Sequence, residues 1–457
     1  MVSPGSKTTV LEGCTIATVD PVGTEFPSGY VVVTDGVITA VGAGPAPLLT
    51  DAVVVDATGC LATPGLVNTH HHLYQWATRA VSVDDGLFNW LKTLYPIWAG
   101  IDVPIVGAAA RAGLARLALT GCTTSTDHHY VFPRDGGDLL GATIDAAATV
   151  GLRFHPTRGS MDLGARDGGL PPDSVVQSLD AILASTAQAV SLHHDPSPGA
   201  LVRIAAAPCS PFSVTKDLMR QSAVQARELG IRLHTHLAET LDEDEFCREK
   251  FGMTPVEYLE DVGWLGPDVW LAHGVHLSDA DVVTLAGAGT GVAHCPSSNA
   301  RLGSGLAPSA ALLAADAPLG LGVDGAASQE NGGLSEELHQ ALFLARLRYG
   351  PSGLTARDAL RIGTIGGARC LGRADEIGSL EVGKRADIAL WRVDGPFHSD
   401  IPDPIDALVY ASPPPLALLL VEGRTVVKDG ELKTLDVDTA GRELRSAART
   451  LAARARS

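Results

Sequence analysis

The sequence predicts an α/β protein in which a (β/α)8 TIM barrel is joined to a small β-sandwich domain built from both chain termini. Two observations support this fold class. In the middle of the chain, short apolar runs alternate with segments of helical periodicity, as in a barrel of parallel strands. Near both ends, runs rich in β-branched residues are separated by turn residues instead, and that pattern is typical of strands and hairpins.

The first 60 residues contain several strand candidates, of which the hairpin around Asp35-Gly36 is the clearest. These two residues separate runs of valine and isoleucine, and an Asp-Gly turn between such runs favours a hairpin. Strand-like runs return at 386–391 and 418–427, which predicts one sandwich completed by both ends of the chain. We therefore expect a composite β domain over 1–60 and 377–435, a barrel domain over 61–376, and a C-terminal helix or tail over 436–457.

The middle of the chain contains eight strand candidates that alternate with helices. The strand candidates are 65–70, 122–127, 151–156, 201–207, 231–236, 269–273, 290–294 and 318–324. Helical periodicity is clear between several of them, for example at 108–119, 218–229 and 279–288. A doubly wound open sheet is the alternative, but no Gly-x-Gly-x-x-Gly fingerprint opens the first helix. The pattern therefore favours a closed barrel.

Composition is that of a soluble cytoplasmic enzyme. Of 457 residues, 45% are hydrophobic and 19% are charged, and the formal net charge of -18 argues against nucleic-acid or anionic-membrane partners. No apolar run reaches membrane-spanning length, and the chain does not start with a signal-peptide pattern. The seven cysteines are scattered, without a Cys-x-x-Cys pair, and therefore predict neither a disulfide framework nor a thiolate zinc site.

The apolar stretch 64–69 leads directly into three consecutive histidines, His70, His71 and His72. Side chains alternate between the two faces of a strand, so His70 and His72 point the same way and His71 points away. Two imidazoles on one face form half of a metal site, although an isolated His-x-His pair is a weak signal. We expect His71 to face the outer layer of the barrel and to support the fold.

Four other predicted strand ends carry residue types that bind metals. They are His234, His236 and Glu239 after strand five, His273 after strand six, His294 after strand seven and Asp324 after strand eight. In a barrel the carboxyl ends of all strands meet at one mouth, so these side chains are expected to converge. Imidazole combined with carboxylate favours zinc or iron over calcium or magnesium. Strand parity alone leaves open whether His234 or His236 is the ligand.

Together, the segments 64–72 and 234–239 with His273 and Asp324 resemble the amidohydrolase superfamily. The similarity is to its single-metal branch of purine and pyrimidine deaminases and s-triazine hydrolases, and it extends over nearly the whole chain. The resemblance implies a metal-dependent hydrolase that acts on a small heterocyclic substrate and assembles as a homodimer or higher homo-oligomer.

The resemblance also assigns roles to individual residues. It implies one divalent metal ion, zinc by preference with iron as the alternative, bound by His70, His72, His236 and Asp324. It chooses His236 over His234 because the family's glutamate follows the ligand by three positions. Glu239 is implied as the proton shuttle, Asp324 as a second contact to the attacking water, and His273 as the group that orients that water.

Loop residues near the predicted mouth point to a substrate. The segment 157–174, together with 70–75 and 126–128, resembles the 8-oxoguanine deaminase subgroup, which implies conversion of 8-oxoguanine and water to urate and ammonia. The candidate substrate-binding residues are Gln75, Arg158, His128 and Trp98, with Trp90 as the alternative aromatic wall. An amide such as Gln75 can donate and accept hydrogen bonds at a purine edge.

Three alternatives stay open. Gln329-Glu330 stand where related deaminases have an Asn-Asp pair, so guanine, isoxanthopterin, isocytosine or an s-triazine such as hydroxyatrazine are alternative substrates. A two-metal site is disfavoured because strand four, 201–207, contains no lysine to bridge two ions. A non-catalytic binding barrel is the alternative from another class, and the complete set of ligand-type residues argues against it.

Overall fold

The computed structural model describes residues 7–456. Its strands, in chain order, are β1 (Thr8–Ala17), β2 (Glu25–Thr34), β3 (Val37–Ala43), β4 (Val53–Asp56), β5 (Cys60–Pro64), β6 (Leu66–Asn68), β7 (Cys122–His129), β8 (Arg153–Ser160), β9 (Ala205–Pro208), β10 (Arg232–Leu237), β11 (Val269–His273), β12 (Gly291–His294), β13 (Leu319–Leu321), β14 (Ile388–Arg392), β15 (Leu416–Val421), β16 (Arg424–Lys428) and β17 (Glu431–Leu432). Residues 1–6 of the predicted composite domain lie outside the described residues.

Helices follow most of the barrel strands. They are α1 (Leu87–Trp98), α2 (Val103–Leu119), α3 (Leu139–Val150), α4 (Leu179–His193), α5 (Lys216–Glu228), α6 (Leu241–Phe251), α7 (Pro255–Asp261), α8 (Asp279–Ala288), α9 (Pro296–Arg301), α10 (Ser309–Ala314), α11 (Ser335–Tyr349), α12 (Ala356–Arg361), α13 (Gly367–Cys370), α14 (Pro404–Tyr410) and α15 (Val437–Arg454). Within residues 7–456, no helix has the length and apolar character needed to cross a lipid bilayer.

Strands β6 to β13 close into a parallel barrel in chain order. Each of the eight strand candidates overlaps one of these strands, so the predicted barrel is confirmed. The register between neighbours brings their carboxyl ends side by side. For example, Leu237 of β10 pairs with His273 of β11, and Leu321 of β13 pairs with Asn68 of β6. Residues that follow these positions therefore share one mouth.

The strands of the two chain ends form one mixed sheet of nine strands, which confirms the predicted second domain built from both termini. They are hydrogen-bonded as a continuous sheet rather than as two separate layers. Strand β5 joins the strands of the two chain ends, because it pairs with β1 on one side and with β14 on the other. The exact domain boundaries at residues 61, 377 and 436 stay predictions.

The terminal sheet contributes to two apolar cores. On β15, Leu419 packs in the core that continues into the barrel, whereas its neighbours Leu418 and Leu420 belong to a second cluster enclosed by the terminal strands. This alternation is the ordinary period of a strand that is covered on both faces. The last helix, α15, buries Ala447 and Leu451 against the barrel side.

Arg153, the first residue of β8, connects the barrel to the terminal sheet. Its guanidinium donates to Asp387 Oδ2 at 3.0 Å and to Glu422 Oε1 at 2.7 Å, and the side chain is fully buried. Its Nη1 also donates to the carbonyl of Gly199 at 2.7 Å. A buried guanidinium of this kind must keep all its partners, because desolvation of each charge is offset only by the pairing.

Replacement of Arg153 by methionine is expected to lower the free energy of unfolding by about 3–5 kcal/mol, because it removes the cation that pairs with the buried carboxylate of Asp387. The matched control is Arg248→Met. Arg248 forms an exposed pair with Asp244 one helical turn away, and its loss is expected to cost about 0.5 kcal/mol or less. Urea denaturation of both variants measures the difference. Equal losses for the two would contradict the anchoring role of Arg153.

Candidate metal centre and active site

The ends of the barrel strands bring five of the predicted residues to one mouth. His70 and His72 follow β6, His236 lies on β10, His273 ends β11, and Asp324 follows β13. His273 and Asp324 have left-handed backbone angles, with φ of 75° and 61°, which non-glycine residues adopt only at a cost of order 1–3 kcal/mol. The fold therefore holds these two side chains in place against an unfavourable backbone conformation.

The side chains of His70, His72, His236 and Asp324 form a compact buried cluster. His72 Nε2 lies 3.1 Å from His236 Nε2, and Asp324 Oδ1 lies 3.3 Å from the Nε2 atoms of both His70 and His72. All four residues are at most 8% exposed. The three imidazoles and the carboxylate thus lie together at the mouth of the barrel.

Backbone carbonyls fix the tautomers of His72 and His236. His72 Nδ1 lies 2.7 Å from the carbonyl oxygen of His128, and His236 Nδ1 lies 2.6 Å from that of Cys209. A carbonyl only accepts, so each Nδ1 carries the proton and each Nε2 carries a lone pair. Two lone pairs thus face each other at 3.1 Å, an arrangement that a bound cation between them would stabilise.

His70 is oriented by a chain of two hydrogen bonds. His234 Nδ1 donates to the carbonyl of Trp270 at 2.8 Å, which leaves His234 Nε2 as an acceptor for the Nδ1–H of His70, also at 2.8 Å. The Nε2 of His70 therefore presents a third lone pair to the cluster. His234, which strand parity could not separate from His236, thus contacts a cluster residue instead of completing the cluster.

Three imidazole lone pairs and one carboxylate fit a divalent metal ion such as zinc. Catalytic zinc sites use three or four such ligands and keep a position open, and hydrogen bonds from the second ring nitrogen are the usual means of orienting them. Burial lowers the pKa of His70, His72 and His236, so all three imidazoles are neutral near pH 7, as metal binding requires.

Asp324 is fixed by three hydrogen-bond donors. Ser298 Oγ and Ser328 Oγ donate to its Oδ2 at 2.6 and 3.1 Å, and the N–H of Gly325 donates to Oδ1 at 2.7 Å. The carboxylate keeps one orientation toward the histidines. Ser298 and Ser328 were not identified from the sequence, where isolated serines carry no distinguishing pattern.

Glu239 and His273 form a second pair beside the cluster. His273 Nε2 lies 3.5 Å from Glu239 Oε2, and His273 Nδ1 is held by Asn299 Oδ1 at 3.0 Å. Burial raises the pKa of Glu239 to about 7. Burial opposes protonation of His273, but the carboxylates of Glu239 and Asp324 outweigh it and raise its pKa. A carboxyl group that titrates near neutral pH is suited to proton transfer.

Glu243 supports Glu239, and the sequence did not single it out. Its carboxylate accepts the N–H of Ala238 at 2.9 Å and the N–H of Glu239 at 3.3 Å, and Ala238 has a φ of 52°. The pattern Thr240-x-x-Glu243 resembles a helix capping box. However, Thr240 makes no side-chain capping bond, and Glu243 instead holds the backbone that carries Glu239.

A cavity opens beside the cluster and is lined by His72, His236, Glu239, His273 and Asp324 on one side. The opposite walls are aromatic and apolar, and they include Trp90, Tyr95, Tyr130, Phe212 and Leu302. Such walls suit a flat ring.

The predicted substrate-binding residues occupy different positions. Gln75 lines the cavity, and neither atom of its buried carboxamide has a hydrogen-bond partner among residues 7–456. A Cβ on Gly325 would overlap this carboxamide, so a larger residue there would displace the Gln75 side chain. Trp98 is fully buried and donates to Thr78 Oγ1 at 3.0 Å. It lies behind the cavity, whose wall is formed by Trp90, the alternative aromatic residue.

Arg158 and His128 do not line the cavity either. Arg158 pairs in register with His129, and its guanidinium lies over the Phe132 ring and donates to Gln177 Oε1 at 2.6 Å. His128 points inward instead and stacks on His236 with ring centroids 4.7 Å apart. It therefore lies next to the histidines of the cluster rather than in the cavity wall.

The sequence departure at Gln329-Glu330 lies outside the cavity. Gln329 Nε2 donates to the buried Glu337 at 2.7 Å, and Glu330 pairs with Arg301 at 3.1 Å. These contacts hold the loop that follows Asp324. His71 makes supporting contacts as well, since its Nδ1 accepts from the N–H of His72 at 2.9 Å and its Nε2 lies 3.3 Å from Trp76 Nε1.

Comparison with known proteins gives concordant results. The sequence model of the amidohydrolase family matches residues 61–426. The chain is 47% identical over 429 residues to 8-oxoguanine deaminase from Pseudomonas aeruginosa, covering 93% of this chain and 95% of that protein. It is 36% identical over 440 residues to isoxanthopterin deaminase from an unknown prokaryotic organism, covering 91% and 90%.

A solved structure with the same architecture is atrazine chlorohydrolase from Arthrobacter aurescens in complex with zinc. Its TM-score is 0.91 at 33% sequence identity, and the match covers 96% of this chain and 100% of that one. The similarity therefore includes the terminal sheet as well as the barrel. On the family match and on these near full-length relatives, the chain belongs to the amidohydrolase family.

Proposed function

We propose that this protein is a metal-dependent deaminase that converts 8-oxoguanine and water to urate and ammonia. The observation that carries the proposal is the 47% identity to an 8-oxoguanine deaminase over nearly the full length of both chains. In this reaction the water oxygen bonds to the amino-bearing ring carbon, the carbon–nitrogen bond breaks, and the amino group leaves as ammonia. The aromatic residues that line the cavity beside the histidine cluster support a purine-like substrate.

We infer that His70, His72, His236 and Asp324 bind one divalent ion. Zinc is favoured because imidazole and carboxylate donors suit it and because a structurally similar hydrolase contains it, and iron is the alternative. When bound, the ion supplies Lewis acidity that makes water a nucleophile near neutral pH. The remaining steps are assigned to side chains of this protein.

Two carboxyl groups divide the proton transfers. Asp324 accepts a proton from the attacking water, and its fixed hydrogen bonds to Ser298 and Ser328 keep its oxygens aimed at the cluster. Glu239, whose pKa burial raises to about 7, delivers a proton to the ring nitrogen beside the reacting carbon. It regains a proton from the hydroxyl group of the tetrahedral ring adduct, and the proton on Asp324 passes to the departing amine. Different environments for the two carboxyls allow one to act as base and the other as acid.

Gln75 is proposed to read the edge of the substrate ring. Its carboxamide is buried in the cavity wall, and its oxygen and nitrogen have no hydrogen-bond partner in the described part of the chain, so it offers an acceptor and a donor to the ligand. Unsatisfied buried polar groups are unfavourable, and a substrate that satisfies them is selected over one that does not. The aromatic rings of Trp90 and Tyr130 face the same space.

A second candidate substrate is another amino-substituted ring, because relatives include an isoxanthopterin deaminase at 36% identity and an atrazine chlorohydrolase at 33%. The zinc-loaded protein should be assayed against 8-oxoguanine, guanine, isoxanthopterin, isocytosine and hydroxyatrazine, following substrate absorbance and the released amine. We expect 8-oxoguanine to have the highest kcat/KM. A higher kcat/KM for another ring would identify that ring as the substrate. Absence of turnover of all five compounds would contradict the proposed deaminase function.

Glu239→Gln is expected to retain the metal and to lose at least about 100-fold in kcat, since general acid–base catalysis contributes roughly 10²–10⁴-fold. His236→Ala is expected to lose both metal and turnover, because it removes one of four ligands. Metal content is measured by elemental analysis beside the rate of ammonia release.

Glu245→Gln is the matched control for the glutamate substitution, because Glu245 is exposed on α6 just beyond the site. It should leave both the metal content and the rate unchanged. Retention of near wild-type turnover by Glu239→Gln would exclude Glu239 as the proton carrier. Stoichiometric metal in His236→Ala would show that the ion is bound by other residues.

A further inference from the structure

A second cavity, of about 250 Å³, lies at the opposite end of the barrel from the active site. It is located where strands β8, β9 and β10 begin, and its lining includes His155, His194, Arg203 and Arg232. Arg373 follows Gly372, another lining residue, and is itself only 1% exposed. His236 and Glu239 lie at the other end of β10, and the cavity includes none of the residues of the active site, so it has no part in the proposed reaction.

Positive charge at this cavity exceeds the negative charge available to neutralise it. Arg203 and Arg373 share a single carboxylate, with distances of 2.5 Å to Glu376 Oε1 and 3.0 Å to Glu376 Oε2. Arg232 forms no ion pair with any carboxylate of the described residues; its Nη2 donates to the carbonyl of Cys370 at 2.7 Å. This surplus occurs in a chain whose net charge is -18, so it is a local feature.

Several of these groups are buried without a hydrogen-bond partner within residues 7–456. They are the Nε atoms of Arg203, Arg232 and Arg373, Nη1 of Arg373, and Nδ1 of His155. Each buried polar group left unsatisfied costs about 1–3 kcal/mol. Burial, together with the positive charges of Arg373, Arg232 and Arg203, lowers the pKa of His155, which reflects the same concentration of positive potential.

A purely structural role accounts for only part of the cluster. Residues at the amino ends of barrel strands commonly serve stability, and Arg153 does so through its pairs with Asp387 and Glu422. Arg232 has no such anionic partner among the described residues, and its side chain lines a cavity whose rim includes the exposed Gly372. An anion from solvent can therefore reach it.

We propose that this cavity binds a small oxyanion of the phosphate type, either free phosphate or the phosphoryl group of a small metabolite. Guanidinium groups recognise phosphate oxygens through charge-assisted and often bidentate hydrogen bonds. Arg232 and Arg203, which both line the cavity, supply the principal contacts. The buried Arg373 next to the lining residue Gly372 adds positive potential. The site is separate from the metal centre and requires none of its residues.

The test is isothermal titration of the full-length metal-loaded protein with inorganic phosphate, at ionic strength held constant with potassium chloride. Arg232→Gln is expected to weaken phosphate binding at least about tenfold, which corresponds to about 1.4 kcal/mol, and Arg203→Gln is expected to weaken it similarly. The matched control is Arg449→Gln, an exposed residue of α15, which should bind phosphate as the wild type does. Unchanged deaminase activity in all three variants verifies folding.

Phosphate bound at the metal centre would be insensitive to Arg232→Gln, because the two sites lie at opposite ends of the barrel. Equal affinity in wild type and Arg232→Gln would therefore overturn the proposal, as would no detectable binding at millimolar phosphate. A parallel titration with ribose 5-phosphate identifies the source of the ligand. Tighter, Arg232-dependent binding of the sugar phosphate indicates a metabolite, and equal Arg232-dependent binding of the two indicates free phosphate.

Discussion

Hydrogen bonds from ring nitrogens to the barrel backbone are the constraint on which the active site depends. The carbonyls of His128, Cys209 and Trp270 come from β7, from the residue after β9 and from β11, so the orientation of three imidazoles is set by strands that are distant in sequence. Each carbonyl oxygen accepts a hydrogen bond from one ring nitrogen and thereby determines which nitrogen of that ring is protonated. The unprotonated nitrogens therefore come together only when the barrel is closed.

The two ends of the barrel carry different chemistry. At the carboxyl ends, left-handed backbone at His273 and Asp324 and the carboxylate of Glu243 hold the catalytic groups in position. At the amino ends, arginines connect the barrel to the terminal sheet and surround a second cavity. Both arrangements follow from parallel strands, which gather residues from separate parts of the chain at each end.

The barrel and the histidine pair were predictable because they depend on short-range periodicity. His70 and His72 both approach Asp324, whereas His71 contacts Trp76. This agrees with the predicted alternation, although the three histidines follow the end of β6 rather than lie on it. Contacts that depend on strand register or on helix packing were not predictable. Arg158 pairs with His129 and thus faces away from the cavity, and Trp90 and Trp98 both lie on the apolar face of α1, so periodicity could not choose between them.

X-ray absorption at the zinc edge of the metal-loaded protein tests directly whether His70, His72 and His236 bind the metal ion. The orientation of His70, His72 and His236 predicts multiple scattering from three imidazoles, with zinc–nitrogen distances of about 2.0–2.1 Å, and oxygen donors completing the shell. Cys209 and Cys295 are buried free thiols near the cluster. A zinc–sulfur distance near about 2.3 Å, or scattering from fewer than three imidazoles, would contradict the account.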